Sequence, residues 1–270
     1  MTKRVALITG SATGLGVQAV EALAKDGHHV AINYRNSEEQ AKALLHKIQD
    51  VYEVKGMLVQ GDVSQQEDCH RMVQKVVQRF GRIDILVLNA GPYVFERKRL
   101  VDYTSEEWDL LMSGNLSSFF YLTRYIIPLM REQKWGRIIT FGFNHAGQAS
   151  GWKYRSVFAA AKVGLVSLTK STAEEESEHG ITVNMICPGD IVGENKEKTI
   201  EGVQQQNESQ EETPIAPIGR PGSGEDIARV VTFLSSEKSD FITGSVIEVN
   251  GGMNVLKKRS NAINKTTERE

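Results

Sequence analysis

About seven short, almost wholly apolar runs recur along the chain, each separated from the next by a longer amphipathic segment. The runs are Val5 to Thr9, Val30 to Tyr34, Gly56 to Gln60, Ile83 to Leu88, Arg137 to Phe141, Ile181 to Ile186 and Val246 to Val249. Helical periodicity covers Val17 to Asp26, Ser37 to Val51, Gln65 to Phe80, Ser105 to Met112, Ser117 to Glu132, Phe158 to Glu178 and Glu225 to Ser235. A strand that is apolar at nearly every position has no face left for water, so helices must cover both sides of its sheet. Right-handed crossovers then leave a doubly wound parallel α/β sheet as the economical topology.

The 270 residues carry no composition break that would mark a second unit, so residues 1–253 read as one domain and 254–270 as a polar tail. One further segment, Glu194 to Thr213, is too polar for the pattern and reads as a lid or a surface excursion. With 40% apolar residues and a net charge of −2, the chain has the makings of an ordinary core and lacks a basic footprint for nucleic acid. Its two cysteines, Cys69 and Cys187, stand far apart in apolar surroundings, which predicts reduced, buried thiols. The six histidines show no metal-ligand spacing, so no metal site is expected. Without a signal-like or membrane-spanning apolar run, the expected setting is the cytoplasm.

Between the first strand and the first helix lies Thr9-Gly10-Ser11-Ala12-Thr13-Gly14-Leu15-Gly16. Glycines let the backbone turn tightly and approach a pyrophosphate, and the helix behind them offers free amides and a positive dipole end. In this strand–turn–helix context the motif predicts a Rossmann-type dinucleotide site. The second strand ends Ile32-Asn33-Tyr34-Arg35-Asn36-Ser37, with no acid placed to hold a ribose 2′-hydroxyl. Tyr34, Arg35 and Asn36 instead suit a 2′-phosphate, which favours NADP(H) over NAD(H).

With these residues in view, the chain to about Met253 resembles the short-chain dehydrogenase/reductase family, and within it the 3-oxoacyl-(acyl-carrier-protein) reductases. Thr9 to Gly16 resembles its cofactor turn, Asp62-Val63 its adenine-contacting pair, Asn89-Ala90-Gly91 its Asn-Ala-Gly motif, and Pro188-Gly189 the turn lining its nicotinamide pocket. Asn115 falls where the family keeps a structural and proton-relay asparagine, and Lys162 where it keeps the ribose-binding lysine. The resemblance implies reduction of a small-molecule or acyl-thioester carbonyl by nicotinamide hydride. It also implies a homodimer or homotetramer packed through the helices bearing Trp108, Phe119, Phe120 and Tyr121.

The chain departs from the family at two catalytic positions: Phe158 replaces the tyrosine four residues before Lys162, and Phe143 replaces the serine after the fifth strand. Neither ring donates a proton. Three readings stay open. Tyr154 supplies the acid from a loop before the helix, which would also suit enoyl reduction. Alternatively Ser156, Asn144, His145 or Tyr93 serves. In the third reading the protein binds NADP(H) with little or no turnover.

Overall fold

The computed structural model describes residues 3–206 and 215–254. The polar tail from residue 255 onward and the part of the polar segment at 207–214 lie outside the described residues. Seven parallel strands form one sheet in the order β3-β2-β1-β4-β5-β6-β7, the doubly wound topology expected. They are β1 Val5–Ile8, β2 His29–Tyr34, β3 Gly56–Gln60, β4 Ile85–Leu88, β5 Gly136–Phe141, β6 Ile181–Pro188 and β7 Val246–Val249. The helices are α1 Leu15–Lys25, α2 Glu38–Tyr52, α3 Gln66–Phe80, α4 Ser105–Met112, α5 Ser118–Gln133, α6 Ser156–Glu176, α7 Ile200–Gln206 and α8 Gly224–Ser235.

Two apolar layers sandwich the sheet. One joins Leu7, Leu86, Ile138 and Val183 to α3, α5 and α6 through Met72, Ile126 and Leu165. The other joins Ala6, Ile32, Val87 and Ile186 to α1, α2 and α8 through Val20, Ile48 and Val231. Adjacent strand residues belong to opposite layers, as the pleat requires, and that explains why every position of the central strands is apolar.

Three local features depart from the sequence expectation. The fourth strand begins at Ile85, because Asp84 is buried to accept the Val5 N–H (2.8 Å) and chelate Arg82 before the ladder starts. The two helices read between Ser105 and Glu132 are joined by a π-helical turn, Ser113–Ser117, without a break in the backbone spiral. Third, α7 lies in the polar segment, where its seven residues offered too short a period to read.

Candidate active site

β1 ends beneath the glycine-rich turn, and the turn's conformation follows from its residues. Gly10 and Gly14 adopt positive φ values of 56° and 68°. At Gly16 a Cβ would sit 2.6 Å from Ser11 Cα and 2.8 Å from Asn89 Nδ2, so only glycine lets the helix start this close to the strand. The turn is fastened from both neighbouring strands. Asn89 Nδ2 donates to the carbonyls of Thr9 (3.0 Å) and Gly10 (2.8 Å), and the Ala90 N–H donates to Thr9 Oγ1 (3.0 Å). On the other side Asn33 accepts from the Gly10 N–H (2.8 Å) and donates to the carbonyls of Val59 and Gly61. Sequence reasoning passed over Asn33; its signal was a lone amide inside an apolar strand, which a buried position tolerates only when fully hydrogen-bonded.

Above the turn lies a cleft with two lobes that share Leu15, Asn89, Gly91 and Lys196. The first lobe, of about 490 Å³, is lined by Gly10, Thr13, Gly14 and Leu15 from the turn, and by Tyr34, Arg35 and Asn36 from the end of β2. Asp62, Val63, Ala90 and Gly91 complete it. Thr9 and Gly16, expected among the cofactor-binding residues, lie behind the turn and shape it. Arg35 is exposed at the rim and pairs with Asp62 at 3.2 Å. Burial alone would raise Asp62, but hydrogen bonds from the Ser64 amide and hydroxyl and from Arg35 hold its carboxyl below the usual range.

The second lobe, of about 550 Å³, contains Asn115, Lys162, Pro188 and Gly189. Asn115 sits in the π-helical turn, where its Nδ2 donates to the carbonyls of Pro92 (2.9 Å) and Leu111 (3.0 Å). Its Oδ1 is buried with no hydrogen-bond partner. A Cβ on Gly91 would lie 2.4 Å from that oxygen and 3.4 Å from Lys162 Nζ, so the orphan acceptor and the ammonium converge on the spot glycine leaves open. Lys162 is only 5% exposed. Desolvation brings its pKa down to about 8, weakly opposed by Cys187. No carboxylate pairs with it among the described residues. A buried cation beside an unfilled acceptor is a site made for hydroxyl groups that bridge the two.

Aromatic rings wall the rest of this lobe. Phe158 stands edge-on to Tyr93 (centroids 5.1 Å apart) and near Trp152 (6.2 Å), while Phe143 stacks on Trp152 at 5.4 Å. Lys162 Nζ lies 5.8 Å from the Phe158 ring centre. Phe158 therefore lies beside the lysine, and Phe143 lines the same lobe.

Tyr154, expected as a catalytic residue, is not among the residues lining either lobe. It sits in the loop before α6 at φ 65°, with Arg97 over its ring (5.4 Å) and Lys153 beside it (5.0 Å). The helix starts only at Ser156, so Tyr154 does lie in the loop as that reading required, but its ring packs with Arg97 and Lys153 and does not line the lobe. Of the other donors considered, Asn144 and Tyr93 line the lobe, whereas His145 and Ser156 do not. Asn144 is committed to Glu248 (2.6 Å). Among the described residues no cluster of metal-ligating side chains occurs, and no helix is long and apolar enough to cross a membrane.

Three residues that line the cleft or touch its turn were not singled out in the sequence. Lys196 and Glu197 come from a short helical turn, Gly193–Glu197, and Glu197 Oε1 accepts the Gly14 N–H at 2.6 Å. Arg155, one residue before α6, is buried in the wall of the second lobe.

Comparison with known proteins agrees with this geometry. Residues 10–254 match the family described as Enoyl-(Acyl carrier protein) reductase. The chain is 51% identical over 255 residues to a provisionally named oxidoreductase, YtkK, of Bacillus subtilis (strain 168), covering 94% of this chain and 98% of that one. It is 35% identical to the 3-oxoacyl-(acyl-carrier-protein) reductase FabG of Staphylococcus aureus, again over 94% and 98% of the two chains. A solved structure of a provisionally named 3-oxoacyl-reductase from Bacillus thuringiensis superposes with a TM-score of 0.87 at 48% identity, covering 94% of this chain and 99% of that one.

Proposed function

The chain belongs to the short-chain dehydrogenase/reductase family, and from that premise we propose that it is an NADP(H)-dependent reductase acting on a carbonyl compound in the second lobe. The observation that carries this reading is the convergence of Lys162 Nζ and the orphan Asn115 Oδ1 at the end of the cleft that begins at the glycine turn.

The residues present fit the dinucleotide. Only glycine fits at positions 16 and 91, and Thr13, Gly14 and Leu15 at the start of α1 line the cleft where a pyrophosphate would lie, its phosphates displacing Glu197 from the Gly14 N–H. Arg35 and Asn36 suit a 2′-phosphate, Asp62 and Val63 the adenine, and Lys162 with Asn115 the nicotinamide ribose. When bound, NADPH supplies the hydride.

In this reading the proton comes from Lys162 itself. Phe143 and Phe158 cannot donate and Tyr154 lies outside the lobe; of the donors that line it, Lys162 is the one that meets Asn115 Oδ1 at Gly91 and stands beside the Phe158 ring. It passes a proton from Nζ to the carbonyl oxygen as that oxygen gains charge, and the neutral amine then takes a proton back from solvent. A buried ammonium is a stronger acid than a solvated one, and so better matched to neutral pH. The same reading includes a homodimer or homotetramer.

The test is NADPH fluorescence on mixing, then NADPH oxidation across ketones and 3-oxoacyl thioesters. NADPH is expected to bind tighter than NADH, and Lys162→Met to abolish turnover. As pH rises through about 8 the folded-state lysine loses its proton, so kcat/KM should fall on the alkaline side, at or above that pH because bound phosphates favour the ammonium. A rate that climbs through pH 9 would exclude Lys162 as the acid, and binding without oxidation would leave a cofactor-binding protein only.

A further inference from the structure

Resting on the reductase reading above, we infer that the substrate carries a carboxylate and that Arg155 is the residue that binds it. Arg155 is only 5% exposed, lines the second lobe, and forms no ion pair among the described residues. Its two Nη groups donate to the backbone carbonyls of Phe95 and Glu96, and its guanidinium lies 4.8 Å over the Tyr93 ring. Those contacts fix the plane of the fork but use only part of it. Nε has no hydrogen-bond partner but is shielded from solvent, and the Tyr103 hydroxyl interacts with the same guanidinium, so the donors left for a ligand are the remaining Nη hydrogens.

A guanidinium has five donors in a rigid plane, and a carboxylate is the acceptor whose geometry matches a pair of them. Burying such a cation without a counter-charge is unfavourable unless a ligand supplies one. The surroundings point the same way. The lobe is lined by Arg155, Lys162 and Lys196 against a single carboxylate, Asp190. Arg155 also stands at the start of α6, a helix with no side-chain cap, so the positive end of that helix adds to the field. The rings of Phe143, Trp152 and Phe158 lower the local dielectric, so the attraction is screened less than in bulk water.

Arg155 and Lys162 are seven residues apart, which places their Cα atoms about 10 Å apart along the helix axis. The substrate class that fits is an oxo acid whose ketone and carboxylate are several atoms apart on a flat apolar body, the latter to lie against Phe143, Trp152 and Phe158.

The experiment compares benzoylpropanoate and benzoylbutanoate with their methyl esters, using the full-length protein. Binding is followed by calorimetry with and without NADP+, and turnover by NADPH oxidation. At least one acid should bind about tenfold or more tighter than its ester. Arg155→Met should bring acid and ester to parity, while Arg155→Lys keeps part of the gap. A merely structural arginine would weaken acid and ester alike and leave their ratio intact. That result, or equal affinity of acids and esters for the unmodified protein, overturns the inference even if Arg155→Met does not fold. Acids that bind through Arg155 but are not reduced would count against the reductase reading while leaving this one standing.

Discussion

Phe158 lies four residues before Lys162 on α6, one helical turn toward the N-terminus, and its ring faces the ammonium from 5.8 Å. Helical side chains lean back toward the N-terminus, so a residue at this position reaches over the wall of the lobe while the longer lysine reaches deeper. Adding one hydroxyl to that ring would place an acid beside the buried cation, and the partly exposed side chain has room for it. Phe158→Tyr is therefore expected to raise kcat at least tenfold, toward the ~10²–10⁴-fold that a positioned general acid typically contributes. NADPH affinity should stay where it is. Steady-state kinetics with any ketone the protein reduces would check this. An unchanged kcat would mean that the reacting oxygen does not lie beside this ring.

At the scale of elements, the segment after β6 folds back over the start of α1. Gln18 Nε2 donates to the Glu197 carbonyl (2.8 Å), and the Glu197 carboxylate takes the Gly14 N–H (2.6 Å) across 183 residues of sequence. A carboxylate thus holds an amide of the turn that is otherwise open to a phosphate, since both are anions seeking the same positive helix end. Cofactor entry must displace or accommodate that charge. Glu197→Ala is expected to tighten NADPH binding by about 1 kcal/mol, roughly fivefold in Kd, measured by fluorescence titration. Weaker binding in that variant would show instead that Glu197 holds the segment closed over the bound cofactor.

Across the whole molecule, large apolar side chains stand in solvent on two separate faces. Trp108 and Phe120 are about half exposed on α4 and α5, Phe233 likewise on α8, and Phe241 is fully exposed after it. Arg124 lies over the Phe120 ring at 5.4 Å, leaving most of the ring uncovered. Exposed rings grouped on packed helices are unfavourable in a monomer and mark contact surfaces. Two such faces would build a tetramer and one a dimer. Sedimentation at micromolar concentration is expected to give one of these, and Phe120→Asp to lower the assembly state. Monomer alone would remove the oligomer from the proposal.

The parallel sheet, its strand number and the dinucleotide turn were legible in the sequence because they rest on local rules. Period and apolar content specify a doubly covered strand, and glycines at Gly10, Gly14 and Gly16 specify a turn that other residues cannot make. Lys162, Asn115, Phe143 and Phe158 were marked by the family resemblance rather than by any local rule. Whether Tyr154 reached Lys162 depended on how the loop before α6 runs, and its positive φ and packing under Arg97 leave the ring out of the lobe lining. Arg155 and Glu197 were invisible as site residues, since an arginine before a helix or a glutamate in a polar loop is ordinarily solvated. What meets a residue from distant parts of the chain is set by the fold: Phe95, Glu96 and Tyr93 bury Arg155, and the Gly14 N–H reaches the exposed Glu197 carboxylate. The sequence determined where a dinucleotide could lie; only the tertiary structure decided which charges surround what it would reduce.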